Sequence, residues 1–462
     1  MSKSRAEIPQ RQRAFFDAGK TRSVAFRLER LRALQSALEA HEAELLEALH
    51  ADLRKSPTEA YVTELAYLHA EIRHALRHLK SWMKPQRRST PPLTWPSRAW
   101  TQPEPLGVAL ILGPWNYPVQ LLLTPLVGAI AAGNCAVLKP SEHAPATAEV
   151  LERLVERTFA PEHVTLIRGG PDTAEALLRE RFDKIFFTGG ATIGRKVMAA
   201  AAHHLTPVTL ELGGKSPCIV CADAPPRIAA RRIVWGKFLN AGQTCVAPDH
   251  VWADHRIMPF LLEEMVRAVR DFYGEDPSKS PDYARIVNRA HFDRLCEYLR
   301  QGHIVIGGQH NREELYIAPT VLTGTSPESP VMQDEIFGPI LPVLSFQSLE
   351  QVVIELRRRP SPLALYLFTR DRAIQQRLLS ETRSGGVCLN DTVLHLTVRD
   401  LPFGGVGASG FGTYHGRAGF ECFSHQRAVL QRRFAFDSRR RYPPCRLSLA
   451  TLKRVMRWLL SV

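Results

Sequence analysis

The sequence predicts an α/β protein built on parallel, doubly wound sheets. Short, continuous apolar runs ending in glycine or proline alternate with longer stretches of helical spacing, and past residue 212 the alternation starts again. A strand covered on both faces loses the in/out alternation of a half-exposed one, and regular strand–helix alternation builds parallel sheets. A length of 462 residues, with 45% hydrophobic and 23% charged residues, is that of a globular chain too long for one core.

In order, residues 5–54 carry helical spacing with apolar positions at Leu31, Leu34, Leu38, Leu45 and Leu49, and residues 58–83 continue as helix. Prolines at 85, 91, 92, 96 and 103 interrupt the next stretch. Proline lacks the N–H of a helix interior, so this segment reads as an extended excursion. VALILGPW (108–115) is the first buried strand, followed by a helical pattern over 118–132. CAVLKP is the second, with a helix from about 145, and VTLIRGG and KIFFTGG are two more. After KIFFT comes GGATIG, then a helix expected to begin near Arg195. SPCIVCADA, IVWGKFLNAGQ, a helix at 257–273, PTVLTG, LPVLSF, PLALYLFTR and GGVCLND supply a second α/β unit.

Net charge is +14, with arginine clusters at Arg231-Arg232, Arg357 to Arg359 and Arg439 to Arg441. No basic stripe is interleaved with aromatics and no nucleic-acid motif is present, so no nucleic-acid partner is expected. The eight cysteines lack framework spacing. Cys218 and Cys221 lie in an apolar run without a second ligand pair, so no metal is expected. Free thiols fit a reducing cytoplasm. The N-terminal stretch has no apolar signal core, and no run reaches the ~18 apolar residues of a membrane span.

The chemistry gathers between Thr209 and Pro248. TLELGGKSPCIV holds an acid, Glu211, and GKFLNAGQTCVAP holds a thiol, Cys245, each beside glycines (Gly213, Gly214, Gly242) that let backbone approach a substrate. A thiolate can attack and a carboxylate can later activate water. The strand–GGATIG–helix layout suits a phosphate, which helix-start amides attract. Lys139 and Glu142 sit just past a strand end. Asn116, between two prolines, either finds buried partners or aims its amide at an oxyanion.

ELGGKSP followed by GQTC resembles the active-site pair of the aldehyde dehydrogenase superfamily. PWNYP (114–118), LKPSE (138–142), FFTGG (186–190), EIFGP (335–339) and LPFGGVGASGFG (401–412) occur in that family's order. PLALYLFTRD and FGTYHG are most similar to its class 3 branch. The resemblance implies a Rossmann-like cofactor-binding domain over 1–81 and 104–211, a catalytic domain over 212–393, and a small bridging and oligomerisation element over 82–103 and 394–430. It also implies a homodimer. The implied cofactor is NAD, with NADP tolerated. It would be held by a loop of Gly189, Gly190, Ala191, Thr192, Ile193 and Gly194, where Gly190 replaces the family's small polar residue. Lys139 would meet the adenosine ribose, Glu142 the 2′-hydroxyl, Glu335 the nicotinamide ribose, and Phe337 would flank the ring. Cys245 would attack an aldehyde, medium- or long-chain aliphatic or aromatic, to give a thiohemiacetal. Asn116 and the Cys245 N–H would steady its oxyanion, and hydride loss would leave a thioester for Glu211 to hydrolyse. Glu335 and His415 would be auxiliary. Two rivals stay open: a scaffold without activity, which would lack the nucleophile or oxyanion donor present here, and acyl transfer to coenzyme A.

The tail, 431–462, reads as basic and amphipathic. Leu449, Leu452, Met456 and Leu459 recur at helical steps, with Lys453, Arg454 and Arg457 largely off that face. Such a helix either lies in an anionic membrane surface, as the hydrophobic C-terminal anchors of some class 3 relatives suggest, or packs on its own subunit or dimer partner.

Overall fold

The computed structural model describes residues 7–435, 437, 439–444 and 447–460. The outermost residues of the expected first and last segments (1–6, and 436, 438, 445, 446, 461 and 462), with the Arg440 side chain, lie outside the described residues.

Two largely parallel sheets form the body. The first has six strands in the order Gly410–Phe411, Val208–Leu212, Lys184–Gly189, Val108–Leu112, Cys135–Lys139 and Val164–Leu166, parallel except for the first. Its middle strands Val108–Leu112 and Cys135–Lys139 are buried at every residue, because helices cover both faces. The second has seven strands: His303–Ile306, Thr320–Thr323, Ile340–Phe346, His250–Asp254, Pro217–Val220, Ala364–Phe368 and Gly386–Leu389. Only His303–Ile306 runs antiparallel in it. Cys218 lies in Pro217–Val220 and is fully buried, and Cys221 just beyond is buried too.

The N-terminal helical region is three helices, not one. Glu7–Asp17 ends before Gly19, whose φ of +73° breaks the turn, and Ser23 caps Val24–Ala40 by accepting from Phe26 N–H at 3.1 Å. Glu42–Leu53 follows. The next helix is also interrupted: Pro57–Ala60 passes into a π-turn, Tyr61–Leu65, before Ala66–Trp82. The proline-rich excursion is extended, as its composition predicts. Gln86–Arg88 and Ser97–Pro105 join Ser424–Arg432 in a separate antiparallel sheet.

The helix after GGATIG starts at Ala191, not near Arg195. Gly190 is extended and its carbonyl accepts from both Ile193 and Gly194 N–H, closing the first turn at once. Gly194 therefore packs within the helix rather than in a loop. A Cβ there would meet a Leu212 methyl at 2.8 Å, so glycine allows close helix–strand approach.

The tail helix is Leu449–Leu460 and contacts the 3₁₀ turn Pro92–Thr94 of the same chain. Leu452, Met456 and Leu459 are half-buried, whereas Leu449, expected on the same face, is 65% exposed, as is Trp458 at 74%.

Candidate active site

Four parallel strands of the six-stranded sheet end at one edge, and each delivers a candidate. Val108–Leu112 leads into Pro114-Trp115-Asn116, Cys135–Lys139 ends in Lys139, Lys184–Gly189 runs into Gly190, and Val208–Leu212 carries Glu211. At such an edge the following loops and helix starts converge on open space.

Cys245 arrives from the other sheet's side. After the helix Pro226–Phe238, Asn240, Ala241 and Gly242 take φ of 51°, 51° and 74°. Left-handed backbone costs a non-glycine residue roughly 1–3 kcal/mol and persists only where neighbours over-determine it. They do so here. Asn240 N–H donates to Glu59 Oε1 at 2.7 Å, and Asn240 Nδ2 donates to the Asn116 and Gln243 carbonyls at 2.9 and 3.2 Å. Gln243 Nε2 donates to the carbonyls of Asn240 and Arg285 at 3.0 and 2.9 Å, and its Oε1 accepts from Val287 N–H at 3.0 Å. Gly242 backs onto the Gly338 carbonyl with no room for a Cβ, which seats the thiol-bearing turn against Glu335–Phe337.

Two cavities meet at Cys245. One, of about 330 Å³, is lined by Asn116, Glu211, Gly189, Gly190, Glu335 and Phe337 among others. The second, of about 190 Å³, is walled by apolar side chains including Tyr117, Trp235, Leu239, Leu394 and Phe403. His415 belongs to this second cavity, away from the carboxyls. Lys139 and Glu142 line neither; they form an ion pair at 2.9 Å. Ala191, Thr192, Ile193 and Gly194 form the first turn of their helix and also stand outside both linings.

The electrostatics follow from burial. Glu211 is buried with neither carboxyl oxygen hydrogen-bonded, and burial pushes its pKa well above the usual carboxylate range. Burial, then the charge of Asp249, raises Glu335 to about 8. Burial first, then Glu335 and Glu211, pushes the Cys245 thiol upward against the pull of the Cys245 and Val246 N–H groups. His415 is driven down to about 3 by burial, then by Arg399 and His395, so its ring is neutral. Its nitrogens stand 3.0 and 3.1 Å from Tyr67 Oη, an arrangement that orients a hydroxyl but does not supply an acidic imidazolium.

Asn116 Nδ2 donates to the Gln243 carbonyl at 3.0 Å, which holds the amide toward the Cys245 turn. The segment carrying Glu335 is clamped: Lys215 pairs with Asp249 and donates to the Val331 and Asp334 carbonyls at 2.7 and 2.9 Å, and Asp249 accepts from Ile336 N–H at 2.9 Å. Arg294 adds a bond to the Ile336 carbonyl at 2.8 Å.

The residues present fit a dinucleotide. Gly190 caps the helix Ala191–Ala202 without a side-chain bond, and a Cβ on it would meet nothing within 4 Å, so the first-turn amides face open space suited to an anion. Thr188 Oγ1, buried beside them, has no partner.

The family model described as "Aldehyde dehydrogenase family" matches residues 6–429. The chain belongs to the aldehyde dehydrogenase family. Aldehyde dehydrogenase family 3 member B1 of Mus musculus is 47% identical over 94% of this chain and 93% of its own length. The "dimeric NADP-preferring" aldehyde dehydrogenase of Canis lupus familiaris is 45% identical over 97% and 99%. The solved Staphylococcus aureus AldH, in a substrate-bound state, superposes with a TM-score of 0.95 at 42% identity, over 97% and 99% of the two chains. The enzyme is thus class 3-like, oxidises aldehydes to acids, and uses NAD or NADP.

Sequence reasoning passed over several residues around this site. Gln243 stood inside the GQTC motif without a role, and its three bonds make it the brace of the Cys245 turn. Lys55, Glu64 and Tyr67 carry no motif. The one available signal is that Lys55 and Glu64 interrupt otherwise helical spacing with charges that the fold buries completely.

Proposed function

We propose that the enzyme oxidises medium- or long-chain aliphatic or aromatic aldehydes through a covalent intermediate on Cys245. The observation that carries this reading is the position of Cys245 where a cavity holding Asn116, Glu211 and Glu335 meets a largely apolar-walled one. The apolar side suits a hydrocarbon or aryl group. Cys245 gives its thiol proton to a deprotonated carboxylate of the cavity, Glu335 or Glu211, its thiolate adds to the aldehyde carbon, and the oxygen that gains charge accepts from the Asn116 amide and the Cys245 N–H. A bound nicotinamide would supply the acceptor for the hydride that leaves that carbon. Glu211 then takes a proton from water, the water oxygen bonds to the thioester carbon, and the carbon–sulfur bond breaks to return the thiol. Glu335 serves as a second proton acceptor. Gly189 to Gly194 would hold the pyrophosphate, Lys139 and Glu142 the adenosine ribose and Glu335 the nicotinamide ribose, with Phe337 beside the ring. The cofactor-binding domain is assigned to 1–81 and 104–211, the catalytic domain to 212–393, and the bridging element to 82–103 and 394–430.

The test is steady-state assay of purified protein with NAD and NADP against an aldehyde series, with and without coenzyme A. Free acid, formed without coenzyme A and faster for longer or aromatic aldehydes, is expected; an absolute need for coenzyme A overturns the hydrolytic reading. In the same assay Glu142→Gln is expected to raise the NADP-to-NAD ratio of kcat/KM on the order of tenfold. Despite desolvation, the Lys139 hydrogen bond holds the Glu142 carboxyl below its ordinary pKa, so it is charged and repels a 2′-phosphate. An unmoved ratio removes Glu142 from that site.

The dimeric name of the Canis relative and the antiparallel ribbon of Ser97–Pro105 and Ser424–Arg432 support a homodimer formed through the bridging element. No helix among the described residues is long and apolar enough to cross a membrane. The tail supports peripheral contact instead. Trp458 and Leu449 are exposed beside Lys453, Arg454 and Arg457, and each cation near an anionic surface adds about 1 kcal/mol. Full-length protein is expected to sediment with anionic vesicles at low salt, and a version ending at Tyr442 to stay in the supernatant. Equal recovery of both in the supernatant leaves the tail as a packing element on Pro92–Thr94.

A further inference from the structure

We propose that the buried Lys55–Glu64 ion pair is a positioning device for the Asn116 amide; this rests on the oxyanion-binding reading of Asn116 given above. Both side chains are wholly buried, with Lys55 Nζ 2.6 Å from Glu64 Oε1. Lys55 Nζ also donates to the Asn116 backbone carbonyl at 2.8 Å and lies 4.0 Å from the centre of the Tyr117 ring. Glu64 Oε2 accepts from Val119 N–H at 2.8 Å and Gln120 N–H at 3.1 Å. The two ions therefore grip the chain at four points between Asn116 and Gln120. Gln120 opens the helix Gln120–Ala132, whose free amides and dipole favour a carboxylate at that end.

The same cluster reaches the nucleophile turn. The Asn116 carbonyl takes a second bond from Asn240 Nδ2, and Tyr117 Oη meets Thr244 Oγ1, the residue before Cys245, at 2.6 Å. The pair thus fixes the distance between the amide donor and the sulfur from both sides.

Stability alone is a poor reason for these charges. A buried ion pair is often no more stabilising than well-packed apolar residues of its volume. Apolar replacements would fill the space but leave Val119 and Gln120 N–H without acceptors and the Asn116 carbonyl with one donor fewer. Direction is what the ions add, and a donor displaced by about 1 Å loses much of its effect on rate. The π-turn serves the same end, since π-turns recur at functional sites. Within it Val62 and Thr63 line the apolar cavity while the next residue, Glu64, faces Lys55.

The test is a double-mutant cycle of Lys55→Met and Asn116→Ala, read by the single-turnover rate of reduced-cofactor formation and by the Kd for NAD. Asn116→Ala is expected to slow the step by ~10²–10³-fold, as loss of one oxyanion donor does. Lys55→Met is expected to slow it by ~10–100-fold with the Kd for NAD unmoved, and to slow the Asn116→Ala enzyme by less than ~2-fold, because its effect passes through that amide. A merely structural lysine would multiply its loss in the double variant, and that result overturns the proposal, as does Lys55→Met at the wild-type rate. Asn116→Ala at the wild-type rate overturns the oxyanion reading and the proposal with it. Should Lys55→Met not fold, Glu64→Gln, which keeps shape and an acceptor, enters the same cycle under the same criteria.

Discussion

Cys245→Ala is expected to abolish aldehyde oxidation while leaving NAD and NADP binding intact. No other described thiol lines the cavity that Cys245 shares with Glu211, Asn116 and Glu335. Loss of a covalent nucleophile removes at least ~10⁴-fold of rate when the remaining groups act only as a unit with it. Cofactor affinity should persist, because the open first turn at Ala191 and the Lys139–Glu142 pair lie on the other sheet's edge. The check is turnover together with a cofactor titration of the same preparation. Near-normal turnover would remove the covalent mechanism.

Glu211→Gln is expected to leave hydride transfer largely intact and slow thioester hydrolysis by ~10²–10⁴-fold, the usual contribution of a general base. The structure gives this a pH signature. A base acts only when deprotonated, and burial raises the Glu211 pKa, so wild-type deacylation should climb with pH as that proton is lost. In the variant the climb attributable to Glu211 disappears, and a burst of reduced cofactor precedes a slow steady state. An unchanged steady-state rate at every pH would reject the assignment and leave Glu335, raised to about 8, as the remaining carboxyl in that cavity.

Much of this was legible because it is local. Val108–Leu112 and Cys135–Lys139 read as strands from solid apolar runs, which only a sheet covered on both faces demands. The Glu211 and Cys245 motifs are short, and the loops around them carry the glycines that close backbone contact needs. The start of the helix at Ala191 was misplaced, since a glycine cap without a side-chain bond leaves no polar signature. The bracing was not legible at all. Glu64 meets Val119 and Gln120, and Lys55 meets Asn116, through separations of 55 to 61 residues, and a charged residue, whether on a helix like Glu64 or in a connection like Lys55, ordinarily reads as solvent-facing. His415 was found by motif, but its neutral ring and its place across from the carboxyls come only from burial and the Tyr67 contact.

The π-turn at Tyr61–Leu65 closes with Ala66 N–H donating to the Tyr61 carbonyl, one residue wider than an ordinary turn. Tyr61 is exposed and lines neither cavity, so its identity is free to drift. The count of residues is not. Each residue of an α-helix rotates its neighbour by about 100°, so dropping one from this turn would swing either Glu64 away from Lys55 or Tyr67 away from His415. This stretch is therefore a spacer measured by length: across homologous chains it should accept exchange of its outward letters while rejecting insertions and deletions.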